Sequence, residues 1–383
     1  MSINKYAYLR IRKNKSVNTM LENKNDYCVI LAGGKGRRLW PCSREDCPKQ
    51  FIDFFSTGRT QIQQTYDRMS KFIPAEKIYI CTNKEYTHYV EEQLPEVNKQ
   101  NILSEPVARN TAPSVAWAAY RIGHLNRNAR MVVVPSDQAV FKEEEFERNV
   151  LDGLNFVGSN NCLLTMGVKP TRPEPGYGYI QLGEESAQKG VYKVKSFTEK
   201  PDRDFAKMFM ESGEFYWNTG LFLSNVLYLG KCLKGVFPIG AEWLEKEHAN
   251  GYSMETELQM IEQCFPACPN LSIDYGILDK NENVYVMQCD FGWADLGMWH
   301  SIYESMSRAK DDNVVIASHA LLDNSKGNIV KLPDDHMGII SGLEGYIVAE
   351  KGNVLLVCKK EDSSALIRKY INEVQVKYGD EFI

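Results

Sequence analysis

The stretch that decides the fold is a glycine-rich run, Leu31–Pro41, which reads LAGGKGRRLWP. The apolar segment Tyr27–Leu31 leads into it, and Pro48–Phe51 follows with a further lysine, Lys49. Glycine has no Cβ, so the backbone of such a loop can approach a ligand closely. Free backbone N–H groups, together with arginine and lysine side chains, cradle phosphate oxygens. A strand that delivers this loop therefore predicts a site for a nucleoside triphosphate.

Two common phosphate-binding loops do not fit this run. A P-loop requires G-x-x-x-x-G-K-[ST], which does not occur in the sequence. A dinucleotide loop requires G-x-G-x-x-G, whereas the run reads G-G-x-G-x-R and carries arginine in place of a third glycine. The remaining alternative is a glycine-rich turn with a solvated basic rim. The nearby Pro48–Phe51 segment favours the triphosphate site over that turn.

Strand and helix patterns alternate through the region after the glycine-rich run. β-Branched apolar runs predict strands at Lys77–Thr82, Met131–Val134 and Cys162–Val168. Amphipathic stretches predict helices at Gln61–Phe72, Ala112–Leu125 and Glu143–Val157, with Asn110 or Thr111 as the N-cap of the second. This alternation predicts an α/β fold with a mostly parallel sheet. Ligands bind at the carboxyl edge of such a sheet, where Gly33 and Asp137 both follow strands.

The glycine-rich run and Pro48–Phe51 resemble the signature of the sugar-1-phosphate nucleotidylyltransferases. Further matches occur in the order of that family: Glu105–Pro113, Pro135–Asp137, Gly176–Ile180, Phe197–Pro201, Trp217–Gly220 and Gly292–Gly297. The resemblance covers the chain from about residue 26 to 370 and is greatest to the bacterial guanylyl branch. It implies a Rossmann-like catalytic domain.

The resemblance also implies the reaction and its partners. Members of that branch join GTP and mannose 1-phosphate to give GDP-mannose and pyrophosphate, with Mg²⁺ as the cofactor. The residues alone do not show that the site prefers guanine to uracil or thymine. Another hexose-1-phosphate nucleotidylyltransferase therefore stays an alternative, and so does a regulatory protein that binds a nucleotide sugar without turnover.

The chemistry of such a transfer selects the candidate catalytic residues. The attacking sugar phosphate is already an anion, so the reaction needs alignment and positive charge rather than a general base. Arg37 and Lys49 are predicted to hold the triphosphate, because an arginine fork grips phosphate in two places and lysine supplies a point charge. Further nucleotide contacts are predicted for these residues: Gly33, Gly34, Gly36, Asn110, Thr111 and Ser136.

Asp137 and Asp295 are the predicted ligands of Mg²⁺, which proteins commonly hold with one or two carboxylates and substrate phosphates. Each aspartate alone is more typical of a turn or capping residue, and only their combination with the glycine-rich run favours the metal site. Gln138 departs from the family, which usually has histidine there. Because Mg²⁺ prefers oxygen ligands, metal binding is not expected to depend on this position.

The residues for the sugar phosphate come from the resemblance. Glu199 is expected to accept hydrogen bonds from sugar hydroxyls, and Lys200 to neutralise the sugar phosphate. Asn218 is expected to bind hydroxyls, while Gly178 lets backbone groups meet the sugar. Taken alone, Glu-Lys-Pro is an ordinary surface turn and Asn218 an ordinary turn asparagine.

Three segments are predicted along the 383 residues: a basic N-terminal extension at residues 1–25, a catalytic domain at 26–310 and a small all-β module at 311–383. Short strands separated by turn residues predict the last module, which the resemblance describes as left-handed β-helix-like. A final helix at Ser363–Val376 and a role in a homodimer are expected for it. The extension is interpreted as a disordered tail or as an artefact preceding a start at Met20.

Charge, hydropathy and cysteine content argue against several other classes of protein. The net charge of −5 argues against a nucleic-acid surface, and no apolar run is long enough to span a membrane. Ten cysteines without a C-x-x-C pair predict free thiols in a cytoplasmic protein. Longer relatives carry an isomerase (cupin) domain for which this sequence has no room, so no isomerase activity is expected.

Overall fold

The structure is a computed structural model that describes residues 24–242, 253–278, 281–309 and 311–383. The predicted extension at residues 1–25, including Met20, lies almost entirely outside the described residues. The chain forms two compact units. The first unit comprises the described residues up to Gly33, Tyr66–Pro135 and Phe141–Gly292, and the second comprises Gly34–Thr65, Ser136–Val140 and Trp293–Ile383.

Strands and α-helices alternate along most of the described chain, and short strands dominate its C-terminal part. The strands are β1 Asp26–Leu31, β2 Ile78–Asn83, β3 Ile102–Glu105, β4 Arg130–Pro135, β5 Gln138–Val140, β6 Leu163–Val168, β7 Gly178–Glu185, β8 Val191–Glu199, β9 Phe215–Asn225, β10 Val284–Cys289, β11 Trp293–Asp295, β12 Val314–Val315, β13 His319–Asp323, β14 Ile329–Lys331, β15 Met337–Ser341, β16 Tyr346–Lys351 and β17 Val354–Lys359. The α-helices are α1 Gln61–Met69, α2 Thr87–Gln93, α3 Thr111–Leu125, α4 Glu143–Ser159, α5 Arg203–Ser212, α6 Val226–Leu233, α7 Met254–Cys264, α8 Trp299–Met306 and α9 Ser363–Tyr378.

A nine-stranded sheet forms the centre of the first unit, in the order β3-β2-β1-β4-β9-β6-β10-β8-β7. Strands β1 to β4 pair in parallel, so β1 and β4 end at the same edge, as predicted. Strand β9 runs antiparallel to β4, β6 and β7, so the sheet is mixed. The sequence patterns did not predict β9, because the polar Asn218 and Thr219 interrupt its apolar run. The α/β class is confirmed.

Burial explains why these elements form. Strand β1 is buried along nearly its whole length, as expected for a parallel strand covered on both faces. Helix α3 is also buried on almost every residue, and Trp117 lies in the same core as Val29 and Phe222. Asn110 caps this helix, because its side chain accepts a hydrogen bond from Thr111 N at 2.9 Å. Asn110 and Thr111 therefore lie at the first turn of a rigidly packed helix.

The C-terminal part of the second unit consists of short parallel rungs, which confirms the predicted β module. Strands β12, β14 and β16 pair in parallel, β13 pairs in parallel with β15, and β17 adds an antiparallel edge. Asn328 is fully buried between rungs. Its side chain donates to Asn313 Oδ1 and to the Leu343 carbonyl, and it accepts from Tyr346 N. This buried asparagine satisfies backbone groups where the chain turns between rungs.

The same unit encloses the residues that follow the glycine-rich run. Leu39 and Trp299 share one core with Ile347 of β16. Trp40 Nε1 also donates to the carbonyl of Phe382 at 2.8 Å, close to the C-terminus. The β module therefore anchors one end of the glycine-rich loop.

The predictions about membrane-spanning segments and cysteines can be compared with all of the described residues. No helix within it has the length and apolar character needed to cross a membrane. All ten cysteines lie among the described residues, and each is a free thiol.

Candidate active site

The glycine-rich loop packs beside the Pro48–Phe51 segment within the second unit. Gln50 Nε2 donates to the carbonyl of Gly34 at 2.9 Å. Gly36 has a φ of 66°, and a Cβ there would lie only 3.0 Å from Lys49 N. Glycine is therefore required at residue 36 both for its backbone conformation and for lack of space. These contacts hold the loop and the Lys49 segment side by side.

Lys49 forms an ion pair with Asp137 although its side chain is only 9% exposed. Burial alone would raise the pKa of Asp137, but the charge and hydrogen bond of Lys49 outweigh it, with help from Arg38. The pKa of Asp137 is therefore below its usual value, and the carboxylate stays ionised. The structure thus brings two of the predicted catalytic side chains into direct contact.

A short antiparallel pairing brings Asp295 to the same place. Strand β11 pairs with β5 so that Asp295 lies opposite Gln138. Leu296 N donates to the carbonyl of Asp137 at 3.3 Å, and Gly297 N donates to Asp295 Oδ1 at 2.8 Å. Asp137 and Asp295 are far apart in the sequence, and these backbone hydrogen bonds bring them close together. The neighbouring Ser136 is buried, and its carbonyl accepts from Thr65 Oγ1 at 3.1 Å.

Gly297 marks the point where the charged side chains converge. A Cβ on this residue would lie 2.5 Å from Lys49 Nζ, 2.7 Å from Asp295 Oδ1 and 3.1 Å from Arg38 Nη2. Only a residue without a side chain leaves this space to the surrounding groups. We call Arg38, Lys49, Asp137 and Asp295 the cation cluster, since two fixed cations balance two carboxylates at this point.

The donor chemistry of this cluster suits a hard divalent cation. Asp137 and Asp295 are both partly exposed and supply carboxylate oxygens. Among the described residues, no group of three or more His, Cys, Asp or Glu side chains is placed to hold a metal ion. Two carboxylates beside a phosphate-binding loop are the set with which proteins hold Mg²⁺ jointly with substrate phosphates. Sites for zinc instead use several nitrogen or sulfur ligands.

Arg37 lies outside the cation cluster. Its guanidinium pairs with Glu45, which also accepts from Lys35 Nζ at 2.7 Å. Burial would raise the pKa of Glu45, but hydrogen bonds and charge from these two cations hold it below its usual value. In this arrangement Arg38 faces the two aspartates. From the sequence, Arg38 counts as a cation of the loop but is not selected for the site, since spacing does not show which of two adjacent arginines points inward.

Gly33 belongs to a polar group in the first unit. Asn83 Nδ2 donates to the carbonyl of Gly33 at 2.8 Å, and the position of a Gly33 Cβ would lie 3.8 Å from Glu105 Oε2. Burial raises the pKa of Glu105 to about 8. Glu105 belongs to a motif of the family resemblance, although no role was predicted for its side chain.

Asn110 and Thr111 lie where another segment joins α3. The backbone N–H of Ile273 donates to Thr111 Oγ1 at 2.9 Å, and Ala112 N donates to the carbonyl of Leu271. Arg109 donates to the carbonyl of Pro266 and so braces the loop. Asn110 has a φ of 65°, and its side chain caps the helix. Both predicted nucleotide-binding side chains therefore have structural partners in the protein.

The residues expected to bind the sugar form a second group within the first unit. Gly178 on β7 pairs with Glu199 on β8, and a Cβ on Gly178 would lie 2.6 Å from Glu199 Oε2. Lys200 forms an ion pair with Glu199 and has a φ of 50°, while its N–H donates to the carbonyl of Tyr177. Gly178 thus leaves room for the Glu199 carboxylate, and the turn presents Lys200 to solvent.

Asn218 connects this group to a residue that sequence reasoning missed. Its Nδ2 donates to Asp274 Oδ1 at 2.9 Å, and Thr165 Oγ1 donates to its Oδ1 at 2.8 Å. Burial and the charge of Glu199 raise the pKa of Asp274. We call Glu199 and Asp274 the carboxylate pair. Asp274 does not follow a predicted strand and does not lie next to a glycine of one of the motifs. No sequence pattern therefore indicates it as a site residue.

Comparisons with known proteins identify the family of this chain. A family model described as nucleotidyl transferase matches residues 27–312. The chain belongs to this nucleotidyl transferase family.

Named relatives narrow the comparison further. The chain is 33% identical to mannose-1-phosphate guanylyltransferase of Escherichia coli over 346 residues, which are 87% of this chain and 72% of the relative. Identity to the Klebsiella pneumoniae protein of the same name is 33% over 343 residues, which are 88% and 71% of the two chains. A crystal structure described as mannose-1-phosphate geranyltransferase from Thermus thermophilus is 29% identical, with a TM-score of 0.78, and the match covers 92% of this chain and 99% of that chain.

Proposed function

We propose that this protein transfers GMP from GTP to α-D-mannose 1-phosphate, giving GDP-mannose and pyrophosphate. The observation that carries the proposal is the cation cluster, in which Lys49 and Arg38 meet Asp137 and Asp295 around Gly297. The relatives named mannose-1-phosphate guanylyltransferase support the choice of substrates.

The reaction needs charge and alignment at the α-phosphorus. An oxygen of the sugar phosphate forms a bond to the α-phosphorus, while the bond from that phosphorus to the oxygen bridging to the β-phosphorus breaks. The electron pair leaves with pyrophosphate, and no proton has to be removed from the attacking anion. Lys49 and Arg38 reduce the repulsion between the anions, and fixed cations stabilise the charge that develops on the leaving group. Arg37 binds the triphosphate after exchanging Glu45 for phosphate oxygens.

Asp137 and Asp295 would hold the divalent cation, which we propose is Mg²⁺. When bound, this ion supplies positive charge to the triphosphate and to the leaving pyrophosphate. The lowered pKa of Asp137 supports the role, since the residue stays an anion under mildly acidic conditions. Lys49 turns from Asp137 toward phosphate oxygens when the triphosphate enters.

The remaining predicted residues receive roles by their position. We assign the nucleotide to residues in the segments that follow β1, β3 and β4: Gly33, Gly34, Gly36, Asn110, Thr111 and Ser136. We assign mannose 1-phosphate to Gly178, Glu199, Lys200 and Asn218. Lys200 would bind the phosphate, because its side chain is 56% exposed and carries the positive charge among these four residues.

Pyrophosphate release tests the proposal directly. Purified protein is mixed with Mg²⁺ and mannose 1-phosphate, and GTP, ATP, UTP or dTTP is offered separately. Release with GTP alone is expected. Release with another nucleotide would instead indicate a different nucleotidylyltransferase. If no pyrophosphate is released with mannose 1-phosphate or with other hexose 1-phosphates, the result would favour a protein that binds nucleotide sugars without turnover.

We also propose a catalytic domain at 26–310, a β module at 311–383, and a homodimer. Exposed apolar side chains on the β module, such as Leu321, Ile339 and Leu355, support the homodimer. Light scattering of the purified protein measures its molecular mass in solution and so tests the homodimer. A cytoplasmic location is consistent with the free thiols, because disulfides are rare in reducing compartments.

A further inference from the structure

The hydrogen bonds of Asn218 limit what this residue can do for a sugar. Its Oδ1 accepts from Thr165 Oγ1 at 2.8 Å and from Gly220 N at 3.3 Å. An amide oxygen has two lone pairs, so its acceptor capacity is used within the protein. One N–H of its Nδ2 donates to Asp274 Oδ1. Asn218 is therefore left as a donor, and sugar hydroxyls that donate need another acceptor.

Asp274 is held firmly beside Asn218. The segment leading to it is bonded to the start of α3 by three backbone groups: Leu271 N to Arg109 O, Ala112 N to Leu271 O, and Ile273 N to Thr111 Oγ1. Asp274 is half-buried rather than fully enclosed, so it can meet a ligand. This one segment thus joins the Asn110–Thr111 turn to the group of residues around Glu199.

The charges around Asp274 suit hydroxyl groups. Burial and Glu199 raise its pKa, whereas Asn218 and Lys200 act in the opposite direction. Two nearby carboxylates attract hydroxyl donors but repel a phosphate, which has to bind at Lys200 instead. A hexose 1-phosphate carries both kinds of group on one ring, so it matches this arrangement.

We propose that Asp274 accepts a hydrogen bond from a ring hydroxyl of the hexose and so determines which sugar phosphates are used. Asn218 holds the Asp274 carboxylate in place and donates to the sugar, while Glu199 supplies the second acceptor. This inference rests on the proposed function, since it assigns a residue to the hexose phosphate of that reaction.

The test compares Asp274→Asn with the wild-type protein. The amide oxygen of the variant still accepts from Asn218, so a role limited to positioning Asn218 would survive. We expect the KM for the hexose phosphate to rise about 10-fold to 100-fold, because a hydrogen bond to a charged acceptor is replaced by a weaker one. The KM for GTP should stay within about twofold, a change too small to reflect a lost hydrogen bond. Asp290→Asn is the matched control, since Asp290 is 91% exposed in the same unit.

Monodeoxy analogues of the hexose phosphate locate the contact. In the wild-type protein, removing the hydroxyl that Asp274 accepts should lower kcat/KM, and in Asp274→Asn the same removal should cost much less. Asp274→Glu, which keeps the charge but moves the oxygens, should lose the same discrimination and provides a second variant if the first melts early. Circular dichroism checks that each variant is folded.

The possible results separate the two proposals. A wild-type protein that uses GTP with a hexose 1-phosphate supports the proposed function whatever Asp274→Asn does. An unchanged KM for the sugar phosphate in Asp274→Asn, or equal increases for both substrates, would overturn the role of Asp274. A wild-type protein that is silent with every hexose 1-phosphate overturns both.

Discussion

The cation cluster and the carboxylate pair have opposite electrostatics. In the cation cluster, Lys49 and Arg38 lower the pKa of Asp137 despite its burial. In the carboxylate pair, burial and Glu199 raise the pKa of Asp274, and the nearby Lys200 only partly compensates. The first site thus holds balanced, fixed charge, and the second holds an excess of acceptor oxygens.

This difference corresponds to the two kinds of group that the proposed reaction brings together. Triphosphate oxygens need cations that are in place before the reaction, since moving charges into position during the reaction costs free energy. Sugar hydroxyls need acceptors of defined direction, which carboxylates and a fixed amide supply. Substitutions in the two groups should therefore affect different substrates.

The largest effect is expected for Asp295→Asn. It removes a carboxylate that would hold the divalent cation and leaves Lys49 and Arg38 with one partner fewer. We expect kcat to fall at least about 100-fold to 1000-fold, because charge stabilisation of this kind contributes several kcal/mol. Pyrophosphate release measures it, and circular dichroism verifies the fold. Wild-type turnover in this variant would contradict the metal assignment.

Lys49→Met should have the next largest effect and also change the pH dependence. Without Lys49, burial is opposed only by Arg38 and the backbone, so the pKa of Asp137 rises. Activity is then lost at a higher pH on acidification than in the wild-type protein. We expect kcat/KM for GTP to fall about 100-fold, as for other buried charge-assisted contacts.

The pH profile of kcat/KM checks this prediction. Lys326→Met is the control, because Lys326 forms an exposed ion pair with Glu344 in the same unit. An acid limb at the same pH in Lys49→Met and wild type would mean that Lys49 does not control the ionisation of Asp137.

Lys200→Ala should act on the other substrate. The removed charge is assigned to the sugar phosphate, so the KM for mannose 1-phosphate should rise about 10-fold while that for GTP changes little. Lys207→Ala is the control, since Lys207 lies on α5 and is 64% exposed. Equal increases in both KM values would place Lys200 outside the sugar-phosphate site.

The smallest effects compare two glycines, one in each unit. In Gly297→Ala the new methyl group would meet Lys49 Nζ and Asp295 Oδ1, whereas in Gly235→Ala nothing lies within 4 Å. Because the end of Lys49 can move, we expect Gly297→Ala to fold and to lower kcat/KM for GTP about 10-fold, a loss comparable to that of one hydrogen bond. Gly235→Ala should stay within about threefold of wild type, since Gly235 is exposed and no binding role is assigned to it. Steady-state kinetics with GTP varied would show the contrast, and similar values for both variants would mean that crowding at Gly297 is unimportant.

Much of the fold could be predicted from periodicity. The strands and helices that carry continuous apolar or amphipathic patterns were found with ends a few residues off, as for β4 and α4. Strand β13 was missed because its apolar run is only three residues long, Ala320–Leu322, and its side chains alternate between exposed and half-buried. Strand β9 was missed because Asn218 interrupts its pattern. Local patterns identify elements that bury apolar faces and do not identify strands held mainly by their partners.

The sequence by itself determined the glycine-rich loop, its cations and the order of the motifs, because glycine content, charge and apolar period are local properties. Only the tertiary structure decided that Arg38 rather than Arg37 faces Asp295, that β5 and β11 bring Asp137 and Asp295 together, and that Asp274 meets Asn218. These contacts join residues far apart in the chain. They depend on strand register and on which side of a turn a side chain leaves, and both are set by packing of the whole unit rather than by neighbouring residues.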